Sequence, residues 1–121
     1  MRAEFFILVS ILLGAAGQIF LKKGMSFLGP LNLELSNFLS TLILILKQPF
    51  VLSGIFLYAI STIFWLLALS RVELSYAYPM ISIGYVLVLV FSWFFLGERF
   101  TMMRVFGVLL ICAGVFLVLK S

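Results

Sequence analysis

Polar side chains within long apolar stretches are the residues of this chain that could do chemistry. In the first stretch, Gln18 lies four residues before Lys22, and Lys23 follows directly. Residues four apart share one face of a helix, and that face also carries the small residues Ser10, Gly14 and Gly17. We expect Gly14 and Gly17 to serve close helix packing. Gln18 either bridges two helices or lines a cavity in which it contacts a polar ligand together with Lys22.

A second stripe of polar and aromatic residues follows in the next apolar stretch. Spacings of three and four residues place Tyr58, Ser61, Thr62 and Trp65 on one face of a helix. The position of Tyr58 in the middle of the stretch predicts that it lines a cavity. Trp65 either joins that cavity wall or belongs to the aromatic belt that forms at a membrane surface.

The third apolar stretch combines a proline with hydroxyl side chains. Pro79 lacks a backbone N–H and is expected to kink a helix and to leave one carbonyl without its donor. Tyr78, Ser82 and Tyr85 share a face at spacings of four and three residues. A kinked helix with hydroxyl groups on one side is suited to line a path for a polar substrate. Alternatively, the kink only fits the helix to its neighbours.

No catalytic or metal-binding constellation is visible in the sequence. The chain has no His and no Asp, and its one Cys lies within an apolar stretch. The four glutamates all lie outside the middle of these stretches, and Glu98 is expected to pair with Arg104 or with a backbone N–H at a helix end. We therefore expect neither an enzyme nor a metal or other cofactor, and no buried acid that could carry a proton.

The apolar stretches predict four membrane-spanning helices, over about residues 5–21, 50–69, 76–96 and 102–119. A helix of about 20 apolar residues crosses the hydrocarbon core of a bilayer. Of the 121 residues, 65% are apolar and 10% are charged, a balance that a soluble domain of this size could not bury. The expected fold class is an all-α membrane protein with a single four-helix domain. The basic residues lie singly or in pairs at span ends, which argues against nucleic-acid binding.

Residues 31–46 permit two interpretations. Apolar residues recur there at helical spacing: Leu35, Phe38, Leu39, Leu42 and Leu46. The segment is either an amphipathic helix in the membrane interface, which we prefer for its first half, or an early part of the second span that is kinked at Pro49. The distribution of basic residues near span ends gives only a weak bias towards termini outside the cell, and both orientations stay open.

The last span carries two glycines seven residues apart, Gly107 and Gly114, with Leu110 and Ile111 between them. Glycines two helical turns apart leave a shallow stripe on which another helix can pack closely. Four short helices enclose too little volume for a transport path. We therefore expect a homodimer or a heterodimer that forms through this stripe.

Several short motifs occur along the chain: GAAGQ at 14–18, LSR at 69–71, AYP at 77–79, LGE at 96–98 and GVLLICAG at 107–114. In this combination the chain resembles the EamA-type members of the drug/metabolite transporter superfamily, over nearly all of its length. Among four-helix members, the resemblance extends to flippase subunits for undecaprenyl-phosphate-linked aminoarabinose. It implies a multi-pass protein of the bacterial inner membrane that moves a lipid-linked sugar or a similar polar-headed lipid.

The last span also resembles that of the small multidrug resistance transporters, which dimerise through a similar pair of glycines. Those transporters carry a glutamate in the middle of the first helix, where this chain has Gly14. Their characteristic tryptophan in the third helix corresponds to Ile81. The resemblance therefore implies a dimer, but it argues against proton-coupled drug antiport by the usual route.

The combined expectation is a flippase protomer whose first three spans line a cavity. The residues expected to contact the headgroup are Gln18, Tyr58, Trp65, Tyr78, Ser82 and Tyr85. Lys22, Lys23 and Arg71 are expected to contact a phosphate, because charge-assisted contacts suit phosphate oxygens. The alternatives are efflux of small cationic or polar compounds and a membrane subunit that does not transport.

Overall fold

The computed structural model describes residues 2–32 and 34–121. Within these ranges there is no β-strand, and 84% of the structure is helical. The α-helices of the described ranges are α1 (Ala3–Leu28), α2 (Phe38–Lys47), α3 (Pro49–Leu69), α4 (Leu74–Met80), α5 (Ile83–Leu96) and α6 (Met102–Lys120). In this described part, four helical segments are long and apolar enough to cross a membrane: α1, α3, α4 together with α5, and α6. The predicted fold class is therefore confirmed.

The first helix is longer than the sequence suggests. The apolar stretch predicts a first span that ends at about residue 21. Instead, Gly24 lies inside α1 and is buried, and a Cβ built there would stand 2.8 Å from the backbone nitrogen of Val51. The helix ends before Gly29, whose φ of 75° is a conformation that glycine adopts more readily than other residues.

The ambiguous segment before the second span forms a helix of its own. Gln48 separates α2 from α3, because its backbone is extended and its side-chain Oε1 accepts a hydrogen bond from the Phe50 N–H at 3.0 Å. Pro49 occupies the first turn of α3, where its missing N–H costs nothing. The segment is thus a distinct helix and not a kinked continuation of the second span.

The third span is divided in two after Pro79. α4 ends at Met80 and α5 begins at Ile83. The N–H groups of Ser82 and Tyr85 each bond to the carbonyl three residues back, at 3.0 Å. These bonds span three residues where regular α-helical bonds span four, and they mark the break between α4 and α5. The predicted disturbance at Pro79 is confirmed, and it takes the form of a break.

α1 lies at the centre of the bundle, packed along α3 and also against α5. The buried core joins α1, the end of α3 and the short α4, and consists of Phe6, Ile7, Ile11, Ala68, Ala77 and Met80. α6 touches α4 and α5 only lightly, and Val115 is its one buried residue within the described chain. Most of the α6 surface is therefore left for lipid or for another protein.

Candidate functional site

A cleft of about 490 Å³ opens between α1, α3 and the broken third span, and we call it the central cleft. Its walls are formed by Ser10, Ile11, Gly14, Ala15 and Gln18 of α1, by Tyr58, Ser61, Thr62 and Trp65 of α3, and by Tyr78, Ile81, Gly84, Tyr85 and Val88 of the third span. None of these described lining residues carries a formal charge. The central cleft is therefore a neutral site made of hydroxyl, amide and aromatic groups.

The central cleft brings together predicted site residues from three separate spans: Gln18, Tyr58, Trp65, Tyr78 and Tyr85. The helical stripes that the sequence indicates on each span face one another there. Contact of these residues with a substrate stays a prediction, but their convergence on one cavity is a property of the fold.

The small hydroxyl groups of the cleft wall are bonded to backbone. Ser10 Oγ donates to the Ser61 carbonyl of α3 at 2.8 Å, and so ties α1 to α3. Ser61 Oγ and Thr62 Oγ1 both donate to the Tyr58 carbonyl, at 2.6 Å and 3.0 Å. These hydroxyls stabilise the wall, and their donor hydrogens are already used.

The larger polar side chains of the cleft keep their polar atoms free for a ligand. The side chains of Gln18, Tyr58, Tyr78 and Tyr85 make no hydrogen bond to any residue of the described ranges. The three tyrosines are all exposed, in contrast to the buried Ser61 beside them. A polar group that faces hydrocarbon without a partner is costly, so a polar ligand or water must satisfy these groups.

An aromatic corner closes one side of the central cleft. The rings of Trp65 and Tyr78 meet edge to face, with centroids 6.3 Å apart at 67°. Trp65 also packs against the buried core, which fixes its ring in place. Aromatic ring faces of this kind bind the apolar faces of sugars and attract cations.

The remaining predicted site residues do not line the central cleft. The guanidinium carbon of Arg71 lies 4.9 Å from the centre of the Phe6 ring, and Lys23 Nζ lies 5.4 Å from the centre of the Phe50 ring. Lys22 is exposed on α1. Ser82 lies in the break of the third span. Their contact with a substrate stays a prediction that the cleft geometry does not support.

The cleft wall also contains small polar and apolar residues that were not predicted as substrate contacts. The helical spacing places Ser10, Ser61 and Thr62 on the same stripes as Gln18 and Tyr58, and the structure adds that these hydroxyls bond to backbone. Apolar lining residues such as Val88 carry no signal in the sequence that separates them from lipid-facing neighbours.

A second cavity, the α5–α6 groove, has a volume of about 400 Å³. Apolar residues form its inner walls: Val88 and Leu89 of α5, and Gly107, Val108 and Ile111 of α6, so the groove borders the stripe that carries Gly107 and Ile111. Its outer end is the corner between the helices, with Glu98, Arg99, Phe100 and Arg104. Tyr85 and Val88 line both the groove and the central cleft, so the two cavities are neighbours.

Within the described residues, the Glu98 side chain does not have the partner that the sequence predicts. The Glu98 side chain makes no hydrogen bond or ion pair with any residue that the structure describes, so the expected partnership with Arg104 is absent there. Arg104 Nη1 donates instead to the Arg99 carbonyl at 3.4 Å. The Arg104 N–H donates to Thr101 Oγ1 at 3.1 Å, so Thr101 caps α6 and leaves no need for a carboxylate.

The glycine stripe of α6 is open in the protomer. A Cβ built on Gly107 or Gly114 would meet no atom within 4 Å, and Leu110 between them is 60% exposed. The stripe therefore has room for the close approach of another helix. Its use as a dimer interface stays a prediction.

Four apolar spans around a neutral polar cleft define a small multi-pass membrane protein. The EamA-like transporter family matches residues 1–120, and the chain belongs to this family. The expectation drawn from the sequence motifs is thereby confirmed.

Several relatives share one description, "Probable 4-amino-4-deoxy-L-arabinose-phosphoundecaprenol flippase subunit ArnF". The relative from Sodalis glossinidius is 37% identical over 115 residues, which cover 92% of this chain and 85% of that protein. The relative from Erwinia tasmaniensis is 37% identical over 116 residues, or 93% and 91% of the two chains. The relative from Pseudomonas syringae is 38% identical over 118 residues, or 94% and 81%. No solved structure matches the chain at a significant level.

Proposed function

We propose that this chain is a protomer of a flippase that carries the sugar headgroup of a lipid-linked amino sugar through the central cleft. The observation that supports this most is the set of neutral polar and aromatic groups in the cleft, enclosed by apolar spans. Sugar hydroxyls would bond to the free groups of Gln18, Tyr58 and Tyr85. The description of the relatives supplies the substrate class, an aminoarabinose joined to phosphoundecaprenol.

The aromatic corner would bind the amino group of such a sugar. An ammonium group over the face of Trp65 or Tyr78 gains about 0.5–2 kcal/mol from the ring quadrupole. None of the described cleft residues is an acid, so the cation would not be held by a strong ion pair. Moderate attraction of this kind suits a path from which the headgroup must also leave.

The phosphate of the lipid would stay outside the central cleft, because no described lining residue is basic. Lys22 and Lys23 lie towards one end of the bundle, and Arg71 lies at the other, between α3 and α4. They are candidates to contact the phosphate at the two membrane faces. Only one of these sets would act in a given state.

The functional unit would be a dimer in the bacterial inner membrane, either of two copies or with a similar four-helix subunit. The word "subunit" in the description of the relatives implies a partner for those proteins. In this chain, the open glycine stripe with Gly107 and Gly114 supports an interface through α6. The second protomer would complete the walls that one protomer leaves open.

A translocation assay tests this proposal. The purified chain is reconstituted into vesicles that contain aminoarabinose-phosphoundecaprenol, once alone and once with a second four-helix EamA-like subunit of the same organism. A membrane-impermeant amine-reactive reagent then labels the exposed sugar. We expect labelling to extend from the outer-leaflet pool to the inner-leaflet pool in at least one of the two preparations. Labelling confined to the outer leaflet in both would contradict the proposal.

A further inference from the structure

The α5–α6 groove has the chemistry of an amphiphile site. Its inner walls are aliphatic, from Val88 and Leu89 on one side to Val108 and Ile111 on the other. Its outer end carries two arginines and a single carboxylate. A ligand that matches this gradient has an anionic group at one end and a hydrocarbon chain at the other.

The arginines at the outer end are available for an anion. Arg99 and Arg104 are exposed, and neither forms an ion pair within the part of the chain that the structure describes. Arg104 Nη1 donates to the Arg99 carbonyl at 3.4 Å, a contact that holds the guanidinium at the groove mouth. Guanidinium groups bind phosphate oxygens in a bidentate manner, and charge-assisted bonds of this kind are about twice as strong as neutral ones.

The position of the groove matches the resting position of a lipid. The corner at residues 97–101 joins two membrane spans, so it lies at a membrane surface, where lipid phosphates are found. The aliphatic walls extend from there into the depth of the bilayer. Tyr85 and Val88, at the inner end of the groove, are shared with the central cleft, so the two cavities adjoin there.

We propose that the α5–α6 groove is the docking site for a polyprenyl-phosphate lipid, with Arg99 and Arg104 on the phosphate and the first isoprene units between α5 and α6. The identity of the chain rests on the proposed function, whereas the preference for a lipid phosphate rests on the groove itself. In this proposal Arg99 and Arg104 make the first contact with the phosphate, because they line the α5–α6 groove, whereas Lys22, Lys23 and Arg71 line neither this groove nor the central cleft.

The test measures lipid binding by the whole chain in phosphatidylcholine nanodiscs, by native mass spectrometry. The probes are undecaprenyl phosphate, undecaprenol with the same chain and no phosphate, phosphatidylglycerol, and inorganic phosphate as a competitor. The Arg99→Gln/Arg104→Gln variant removes both guanidinium groups. Its matched control, Arg2→Gln/Lys120→Gln, removes two charges at the opposite end of the bundle. The Arg99→Lys/Arg104→Lys variant keeps the charge and loses the bidentate geometry.

Wild type is expected to bind undecaprenyl phosphate at least about 10-fold more tightly than undecaprenol, and the Gln variant is expected to lose this preference. The control variant should bind as wild type does, and the Lys variant should fall between the two. Excess inorganic phosphate should leave lipid binding largely intact, since the chain also contributes.

Three results would overturn the inference: wild-type affinity in the Gln variant, equal affinity for phosphatidylglycerol, or loss of the dimer together with the lipid. The last would mean that the groove holds the partner subunit. These outcomes leave translocation of the amino sugar untouched, so the inference can fail while the proposed function stands. The reverse case, phosphate-dependent binding without translocation, would contradict the proposed function alone.

Discussion

Gly17 of α1 and Gly54 of α3 lie with their backbones in contact. A Cβ built on Gly54 would stand 2.8 Å from the Gly17 carbonyl oxygen, and one built on Gly17 would stand 3.0 Å from the Gly54 carbonyl oxygen. Distances below 3.0 Å are essentially never seen for real Cβ atoms. This crossing fixes the separation of the two helices that supply most of the polar wall of the central cleft.

The substitution Gly54→Ala is expected to cost roughly 2–3 kcal/mol in packing, at the upper end of the range for overpacking, because the added methyl group meets backbone that cannot move aside. This loss exceeds the gain of about 1 kcal/mol that alanine brings to a helix interior. Gly14→Ala is the matched control, since a Cβ there lies at an ordinary 3.7 Å from Ser61 Oγ. Thermal unfolding in detergent compares the two. Equal stability of Gly54→Ala and Gly14→Ala would show that the crossing is not tight.

The tyrosine hydroxyls of the central cleft are expected to contribute to binding of the amino-sugar lipid. Tyr58→Phe, Tyr78→Phe and Tyr85→Phe should each raise the Kd roughly 2- to 10-fold, the loss of one ordinary hydrogen bond. Tyr76→Phe is the control, because Tyr76 packs against the buried core and does not line the cleft. The Kd is measured by titration in nanodiscs. The prediction fails if Tyr76→Phe weakens binding as much as the cleft variants do.

The open stripe on α6 is expected to mediate association. Gly114→Leu should weaken dimerisation at least about 10-fold, or ~1.4 kcal/mol, because a large side chain blocks close approach of the partner helix. The protomer itself has room for the side chain, since no atom lies within 4 Å of a Cβ at Gly114. Ala113→Leu places the same leucine side chain on a different face of α6. Co-purification of differently tagged subunits reports the result, and unchanged association of Gly114→Leu would place the interface elsewhere.

The sequence predicts the spans and the cleft well because both depend on local patterns. Apolar length defines the four spans, and Pro79 marks the break in the third. The spacings of Gln18 and of the tyrosines define helical stripes, and the fold turns these stripes towards one another. The span lengths, the break and the stripes are each properties of a single helix, so the sequence predicts them.

The features that the sequence does not predict depend on how helices pack. α1 continues past the predicted end of the first span to Leu28, and α3 approaches it so closely at Val51 that position 24 leaves no room for a side chain. The pairing expected between Glu98 and Arg104 does not form within the described residues: Thr101 takes the backbone N–H of Arg104, and the Arg104 guanidinium donates to the Arg99 carbonyl. The α5–α6 groove exists because α5 and α6 contact each other only lightly. The spacing of residues within either helix does not predict this contact.

The most direct test of the central claim compares Trp65→Leu with Trp93→Leu in the vesicle translocation assay. Trp65 forms the aromatic corner of the cleft, whereas Trp93 is exposed on α5 and lines neither cavity. Thermal unfolding of both variants, and of Trp65→Phe, separates a loss of the ring from a loss of the fold. We predict that Trp65→Leu slows translocation of the amino-sugar lipid at least about 10-fold, the effect of ~1.4 kcal/mol, while Trp93→Leu translocates as wild type does. Equal rates for folded Trp65→Leu and Trp93→Leu would contradict the assignment of the central cleft as the path of the headgroup.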